Sequence, residues 1–297
     1  MIDLRKIFGQ QFRGNIMYAL RFLPDAPYVN LFYFAANGKT LNLKNPVTFC
    51  EKLNWLKIHD RHPEYSDYVD KLKVRDIVKE KLGEDISIPL LGHWQHFDDI
   101  DFDALPNQFV IKCNHDSGST KVIKDKSSLT EKDFKEMRKF YEKRLKRNFY
   151  YAGREYPYKN VVPCILIEEL MVDEKNPEIS IEDYKFLCFD GKAEMMFIVT
   201  DRSTDCRIDY FDRDFNHLDM WNTHINSDKV VNKPDKFDEM WDVAEKLTQG
   251  IKFTRLDLYV INGKIYFGEY TFFEGGGFRP YHPDEVNYKL GDMIHLD

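Results

Sequence analysis

Asp257 and Glu269 stand in two apolar runs, RLDLYVI and KIYFGEY, joined by Asn262-Gly263. Two carboxylates in such surroundings repel and are costly to bury unless a cation lies between them. Mg²⁺ suits the pair, because it takes hard oxygen ligands, keeps waters and fills its remaining positions with substrate phosphates. Arg255, two residues before Asp257, would offer a planar cationic fork to a transferring phosphoryl group or a developing oxyanion. The spacing poses a difficulty. Strand side chains alternate, so a two-residue turn at Asn262-Gly263 sets Asp257 opposite Gly268 and sends Glu269 to the other face. Convergence requires a three-residue loop over 262–264 or a bulge near Gly268. Otherwise the two acids make separate surface contacts, and spacing alone leaves the two readings even.

Two further stretches could serve phosphate chemistry. Lys112 stands in the run FVIKC, just before the small polar loop His115-Asp116-Ser117-Gly118-Ser119-Thr120-Lys121. Such a loop can close backbone N–H groups over phosphates while a lysine adds a point charge; the plainer reading is a hairpin tip. Ile165-Leu166-Ile167-Glu168-Glu169-Leu170-Met171 reads as a strand leading into paired acids. Its backbone could meet adenine and a carboxylate could meet ribose hydroxyls, although acids at a strand end are common. Other signals fail. Gly38-Lys39-Thr40 looks like the end of a P-loop, but Tyr33 occupies the place of its first glycine. No GxGxxG, HExxH or GxSxG occurs, and His93 and His96 have no second pair at zinc spacing.

The elements that must carry these residues are mixed. Thr48-Phe49-Cys50-Glu51 predicts a capped helix start, and a helix is expected from about Ser66 to Leu82, ending at Gly83. Further helices are expected over 130–147 and 235–249, and Asp190-Gly191 marks a second hairpin. The fold class is α+β. In residues 1–34, Leu4, Ile7, Phe8 and Phe12 recur at helical spacing among Arg5, Lys6, Arg13 and Arg21. Docking on the body of the protein is the default for such a helix; peripheral contact with a membrane is the alternative.

Composition bounds the rest. The chain has 297 residues, 43% hydrophobic and 31% charged, with a net charge of −7. That supports a sizeable core and argues against a general nucleic-acid binder, which carries a basic footprint. Five scattered cysteines without a CxxC pair point to a reducing, cytoplasmic setting.

Taken together, these pieces resemble the ATP-grasp superfamily in chain order, and more narrowly its TupA-like branch, associated with teichuronopeptide and cell-surface polysaccharide synthesis. The resemblance rests on FCEKLNWLKIHDR (49–61), VDKLKVRDIVKEKLG (69–83), IPLLGHW (88–94), LPNQFVIKCNHDSGS (105–119), DYKFLCFDG (183–191) and RLDLYVINGKIYFGEYTFFEGGGF (255–278). It implies ATP held between two α+β subdomains, with an N-terminal helical region over 1–64, a lid-bearing subdomain over 65–165 and a catalytic subdomain with the Mg²⁺-binding hairpin over 166–297. It also implies roles. Lys71 and Lys112 neutralise ATP phosphates, His115, Ser117, Gly118 and Ser119 form the phosphate lid, and Glu168, Glu169, Leu170 and Met171 form the adenine hinge. Lys185 is a further phosphate ligand and catalytic candidate. Asp257 and Glu269 hold magnesium and Arg255 stabilises the reacting group. Gly275, Gly276, Gly277 and Arg279 border the acceptor side. Two positions depart from the pattern: Thr271 stands where many relatives have Asn as a metal ligand, and Asp116 adds a negative charge to the lid.

The expected activity is ATP-dependent joining of a carboxylate to an amine through an acyl phosphate, with a sugar or polysaccharide precursor and an amino acid or amine as substrates. A sugar kinase would use the same nucleotide site. A glycosyltransferase could use Asp212-Arg213-Asp214 or Asp101-Phe102-Asp103, and a non-catalytic polysaccharide-binding protein could retain the scaffold.

Overall fold

The computed structural model describes residues 16–174, 181–200 and 205–296. Leu4, Ile7, Phe8 and Phe12, with Arg5, Lys6 and Arg13, lie outside the described residues, so the reading of that segment as a helix has no counterpart here.

Helix α1 (Asp25–Asn37) packs Tyr28, Val29 and Tyr33 against Leu41 and Cys50. Helix α2 (Phe49–His59) begins with the expected capping box, Thr48 accepting from the Glu51 N–H while Glu51 accepts from the Thr48 N–H. The helix expected over 66–82 is two: α3 (Tyr65–Val69) and α4 (Val74–Leu82). The break is an Asx turn. Asp70 accepts from the Leu72 N–H at 2.9 Å and from Asn114 Nδ2 at 2.9 Å, so a local side-chain bond replaces the helical ladder. Lys71 thereby leaves the helix. Gly83, at φ 78°, ends α4 as expected.

Two antiparallel sheets follow. The first has the order β1 (Leu90–Trp94), β4 (Ile165–Glu169), β2 (Phe109–Cys113), β3 (Lys121–Ile123). Its inner face packs Phe109, Ile111, Ile165 and Ile167 on Met137 and Tyr141 of α5 (Glu131–Leu145). The expected boundary at 165/166 would cut β4, which pairs wholly with β1 and β2. A short helix, α6 (Tyr150–Gly153), and a 3-10 turn over Tyr156–Asn160 follow α5.

The second sheet has the order β10 (Lys264–Thr271), β9 (Phe253–Ile261), β5 (Asp183–Phe189), β6 (Lys192–Thr200), β7 (Arg207–Phe211), β8 (His217–Leu218). One face carries Phe186, Leu256, Leu258 and Tyr270 into the largest core, against Trp241, Ala244 and Leu247 of α7 (Phe237–Thr248). Helix α8 (Glu285–Asp292) closes the chain against α2, with Leu290 and Phe49 in the same core. The other face of β5, β9 and β10 carries Asp183, Lys185, Arg255, Asp257 and Glu269. The sheets meet where Phe267 N–H donates to Ile86 O at 2.8 Å and Ser87 bridges Phe267. No helix among the described residues is long and apolar enough to cross a membrane.

Candidate active site

The difficulty at the acidic hairpin is resolved by a bulge. Asn262 and Gly263 both have positive φ, 51° and 73°, in a two-residue turn closed by Lys264 opposite Ile261. Phe267 faces Leu258, yet Glu269 faces Asp257, so Gly268 is the extra residue that restores Glu269 to the face of Asp257. The position needs a glycine. A Cβ there would lie 2.8 Å from Asp257 O and 3.0 Å from Tyr259 Cε2.

Pairing then lays a row across three strands: Lys185 opposite Asp257 on β5 and β9, and Asp257 opposite Glu269 on β9 and β10. Lys185 Nζ pairs with Asp257 Oδ2 and lies 3.4 Å from Asp183 Oδ2. One step along the same face, Arg255 directs its guanidinium to three acids. It donates to Asp257 at 2.6 and 2.8 Å, to Glu269 Oε1 at 3.2 Å and to Glu274 Oε2 at 2.5 Å. Asp257 is 2% exposed; burial alone would raise its pKa, but Arg255 and Lys185 outweigh it and hold the carboxyl below its usual value. Glu269 is different, its side chain being 41% exposed. Thr271 Oγ1 reaches Glu269 Oε1 at 3.4 Å.

A cleft of about 390 Å³, open to solvent, runs between the two sheets and is lined by Lys71, Arg75, Lys112, Glu168, Tyr259 and Gly268. A hollow of about 220 Å³, lined by Lys71, Tyr158, Gly268 and Glu269, shares its wall. Lys112 Nζ pairs with Glu168 Oε2 at 2.6 Å, and Arg75 stands 3.9 Å from Glu168 Oε1. Lys71 Nζ donates to Asp116 O at 2.7 Å, and burial lowers its pKa. The break at Asp70 is what aims it there.

The structure therefore gathers Lys71, Lys112 and Glu168 about the cleft and Lys71 and Glu269 about the adjoining hollow, with Lys185, Arg255 and Asp257 joined to Glu269 along the second sheet. It does not bring all of the expected lid. His115, Asp116 and Ser119 are 2%, 4% and 2% exposed. His115 Nε2 contacts Arg144 O at 3.2 Å, while Ser119 Oγ receives the Cys113 N–H at 2.9 Å. Arg144 of α5 pairs with Asp116 and donates to Ser117 O at 3.2 Å and Gly118 O at 2.8 Å. The mobile loop expected from its small residues is instead tied down, with Ser117 and Gly118 left at the surface. Asp116 satisfies Arg144 and does not face outward as a stray charge. In the expected hinge, Glu168 points to Lys112 and not to solvent, Glu169 is exposed, and Leu170 and Met171 continue beyond the strand.

Residues 275–277 form a left-handed turn, at φ 58°, 65° and 68°. Asn54 Nδ2 donates to Gly277 O at 2.7 Å, and a Cβ on Gly277 would fall 2.9 Å from that nitrogen. Lys57, fully buried, donates to Gly276 O at 2.5 Å and stands 4.2 Å from the centre of the Phe278 ring. Burial lowers its pKa to about 8. Glu155 lies on the same turn, its Oε1 3.9 Å from where a Cβ of Gly276 would be; burial raises its pKa, with Glu269 and Glu274 adding to the rise. Arg279 is exposed and reaches Thr223 Oγ1 at 3.3 Å. Sequence reading missed Asn54, Lys57, Glu155, Glu274 and Arg144. Cys50, Asn54 and Lys57 share the buried helical spacing of α2, which could have revealed Lys57.

The alternative sites are plain surface features. Asp212 accepts from Asn216 and Asp214 N–H groups, Asp101 from those of Asp103 and Ala104, and His93 and His96 are exposed. These are turn-forming acids.

The donor set fits magnesium. Two carboxylates sit directly across adjacent strands with a hydroxyl beside one, and Mg²⁺ uses one or two carboxylates with substrate phosphates. Among the described residues no group of three or more His, Cys, Asp or Glu could hold a metal unaided.

Two sheets gripping a lysine-lined cleft, with a row of Lys, Asp and Glu on one of them, define an ATP-grasp fold. The chain belongs to the TupA-like ATPgrasp family, whose model matches residues 51–295. Similar solved structures include the D-alanine–D-alanine ligase of Bacillus anthracis complexed with ATP, at 18% identity over 76% of this chain and 64% of that one, with a TM-score of 0.45. The ATP-grasp ligase PsnB complexed with minimal precursor is 13% identical over 82% of this chain and 66% of that one (TM-score 0.40). The D-alanine–D-alanine ligase of Helicobacter pylori is 13% identical over 84% and 67% (TM-score 0.43). The chain thus spans under two thirds of the length of the Bacillus anthracis enzyme. No curated protein sequence matches it.

Proposed function

We propose that the protein is an ATP-dependent ligase that joins a carboxylate to an amine. The observation that carries this reading is the row Lys185–Asp257–Glu269 with Arg255, whose Glu269 lines the hollow adjoining the cleft that Lys71 and Lys112 line. A carboxylate resists attack because its charge repels nucleophiles and oxide is a poor leaving group. Moving the γ-phosphoryl of ATP onto a carboxylate oxygen makes an acyl phosphate and releases ADP. Attack by an amine then forms the amide and expels phosphate. Both steps build charge on phosphate oxygens, which fixed cations stabilise.

Lys71 and Lys112 bind the polyphosphate, Lys185 fixes Asp257, and Arg255 faces the transferring group or the carbonyl oxyanion. Asp257 and Glu269, with Thr271, would hold Mg²⁺, which neutralises and orients the phosphates when bound. Glu168 to Met171 would border the adenine. Ser117 and Gly118, with the His115 and Ser119 framework beneath them, would cover the phosphates. Gly275, Gly276, Gly277 and Arg279 would border the acceptor. The likeness to the TupA-like branch supports a sugar carboxylate, such as a uronic acid in a cell-surface polymer, joined to an amino acid. Five free cysteines, four of them buried, support action in a reducing cytoplasm.

The test is ADP release with Mg²⁺ across amino acids and uronic acids, followed by the mass of the product. A ligase joins the two substrates with loss of water. Addition of phosphate alone would make it a kinase, and absence of ADP release with every pair would overturn the reading.

A further inference from the structure

Helix α1 has apolar side chains on both of its faces, and the described residues cover only one. Tyr28, Val29 and Tyr33 face the core. Pro27, Leu31, Phe34 and Ala35 fall at positions i, i+4, i+7 and i+8 and face outward, Leu31 being 45% and Phe34 53% exposed. That spacing is the one by which a helix buries a stripe. Just before α1, Ile16 and Phe22 are 39% and 75% exposed.

Cations surround this face. Arg21 and Arg147 each place a guanidinium 4.9 Å from the Tyr18 ring centre, which brings the basic end of α5 beside residues 16–21. Lys143 and Lys146 on that end, and Lys39 and Lys44 beyond α1, are exposed. The nearest acid is spent: Asp25 is engaged by Arg61, Arg154 and Tyr150. The sequence has the same asymmetry. Residues 1–47 hold six Lys and Arg against two Asp, a net +4, which leaves −11 for the remainder of a chain of net charge −7.

We propose that the outward face of α1 docks on a lipid bilayer bearing anionic headgroups. Leu31, Phe34 and Phe22 would enter the boundary between headgroups and acyl chains, while Arg21, Lys39, Lys146 and Arg147 meet the phosphates, the division of labour of interfacial helices. A two-fold dimer through α1 would instead set two positive surfaces against each other, which is unfavourable. Docking also bears on the site, since Asn37 Nδ2 at the end of α1 donates to Phe278 O at 3.1 Å, next to the glycine turn.

The experiment is co-sedimentation of the full chain with vesicles of phosphatidylcholine alone or mixed with phosphatidylglycerol. Binding is expected only to the anionic vesicles and is weakened by salt. Phe34→Glu and Leu31→Glu each lower it about tenfold or more, the loss expected for removing one buried large apolar side chain. Phe34→Ser, with near-UV circular dichroism and thermal melting like the parent, separates a docking defect from misfolding. The proposal is overturned if no vesicle binds, or if the glutamate variants bind as the parent does. It is equally overturned if sedimentation shows a dimer of the free chain that Phe34→Glu dissolves. ADP release in vesicle-free buffer is unaffected in these variants, so failure here leaves the ligase reading standing.

Discussion

The second sheet contains two hairpins built to one plan and used differently. β5–β6 turns at Asp190-Gly191 (φ 46° and 78°), and β9–β10 turns at Asn262-Gly263 (φ 51° and 73°). Both carry one extra residue on the returning strand: Glu194, skipped between the Leu187–Met195 and Cys188–Ala193 pairs, and Gly268. In the first, every residue of β5 is buried and the extra glutamate is turned to solvent. In the second, the extra glycine re-aims a strand so that two acids converge. Turn type and bulge are therefore shared scaffolding. What differs is what each slip sets on the face of Asp257: in β9–β10 it brings a second acid, Glu269, beside Asp257, whereas β5–β6 gives that face only Asp183 and Lys185, both from β5.

The sharpest way to break this contrast is at Phe186, fully buried on β5. Phe186→Ala should cost about 3–5 kcal/mol of stability, read by urea unfolding. The folded protein should keep its affinity for ATP; a selective loss of affinity would mean that the core face of β5, and not only Lys185 on its other face, sets the site. Gly268→Ala should do the reverse. Its Cβ would press on Asp257 O at 2.8 Å, and a shift of Asp257 of that order should reduce ADP release about 100-fold with less effect on melting than Phe186→Ala.

Lys57 sharpens the comparison through pH. Its pKa falls from 10.5 to about 8 in the folded protein because burial disfavours the ammonium. Between those values the unfolded chain holds the extra proton, so stability rises with pH across this window and is flat in this term below it. Lys57→Met should abolish that rise, and at neutral pH it should melt below the parent, since it leaves the buried Glu155 carboxyl without the ammonium that favours its charged form. Denaturant titrations across the window would show it. Glu194→Ala, at the bulge of the core hairpin, should change stability by no more than about 0.5 kcal/mol. A large effect there would mean that the two bulges are not equivalent.

Much of the frame was legible because it depends on local chemistry. The capping box at Thr48, the stop at Gly83 and both positive-φ turns follow from single residues that few others can replace. The acidic hairpin was half legible: Gly268 inside an apolar strand marks a bulge as one of two ways to align Asp257 with Glu269, but pairing across strands decides between them. Other features depend on distant partners. Asp70 breaks its helix by binding Asn114 as well as its own backbone, and the loop at 115–119 is immobilised by Arg144, which lies 25 or more positions away. Composition made that loop look free. Glu155 and Lys57 reach the glycine turn from segments over 100 residues distant; the helical spacing of α2 marks Lys57 as buried, but only the fold shows what it meets.

The account turns on whether the Asp257–Glu269 row is a nucleotide site. Titration calorimetry of the parent, Asp257→Asn and Glu269→Gln with ATP, with and without Mg²⁺, tests this directly. Magnesium-dependent binding in the parent and its loss in both folded variants is the predicted result. Magnesium-dependent binding of equal strength in all three proteins would contradict it.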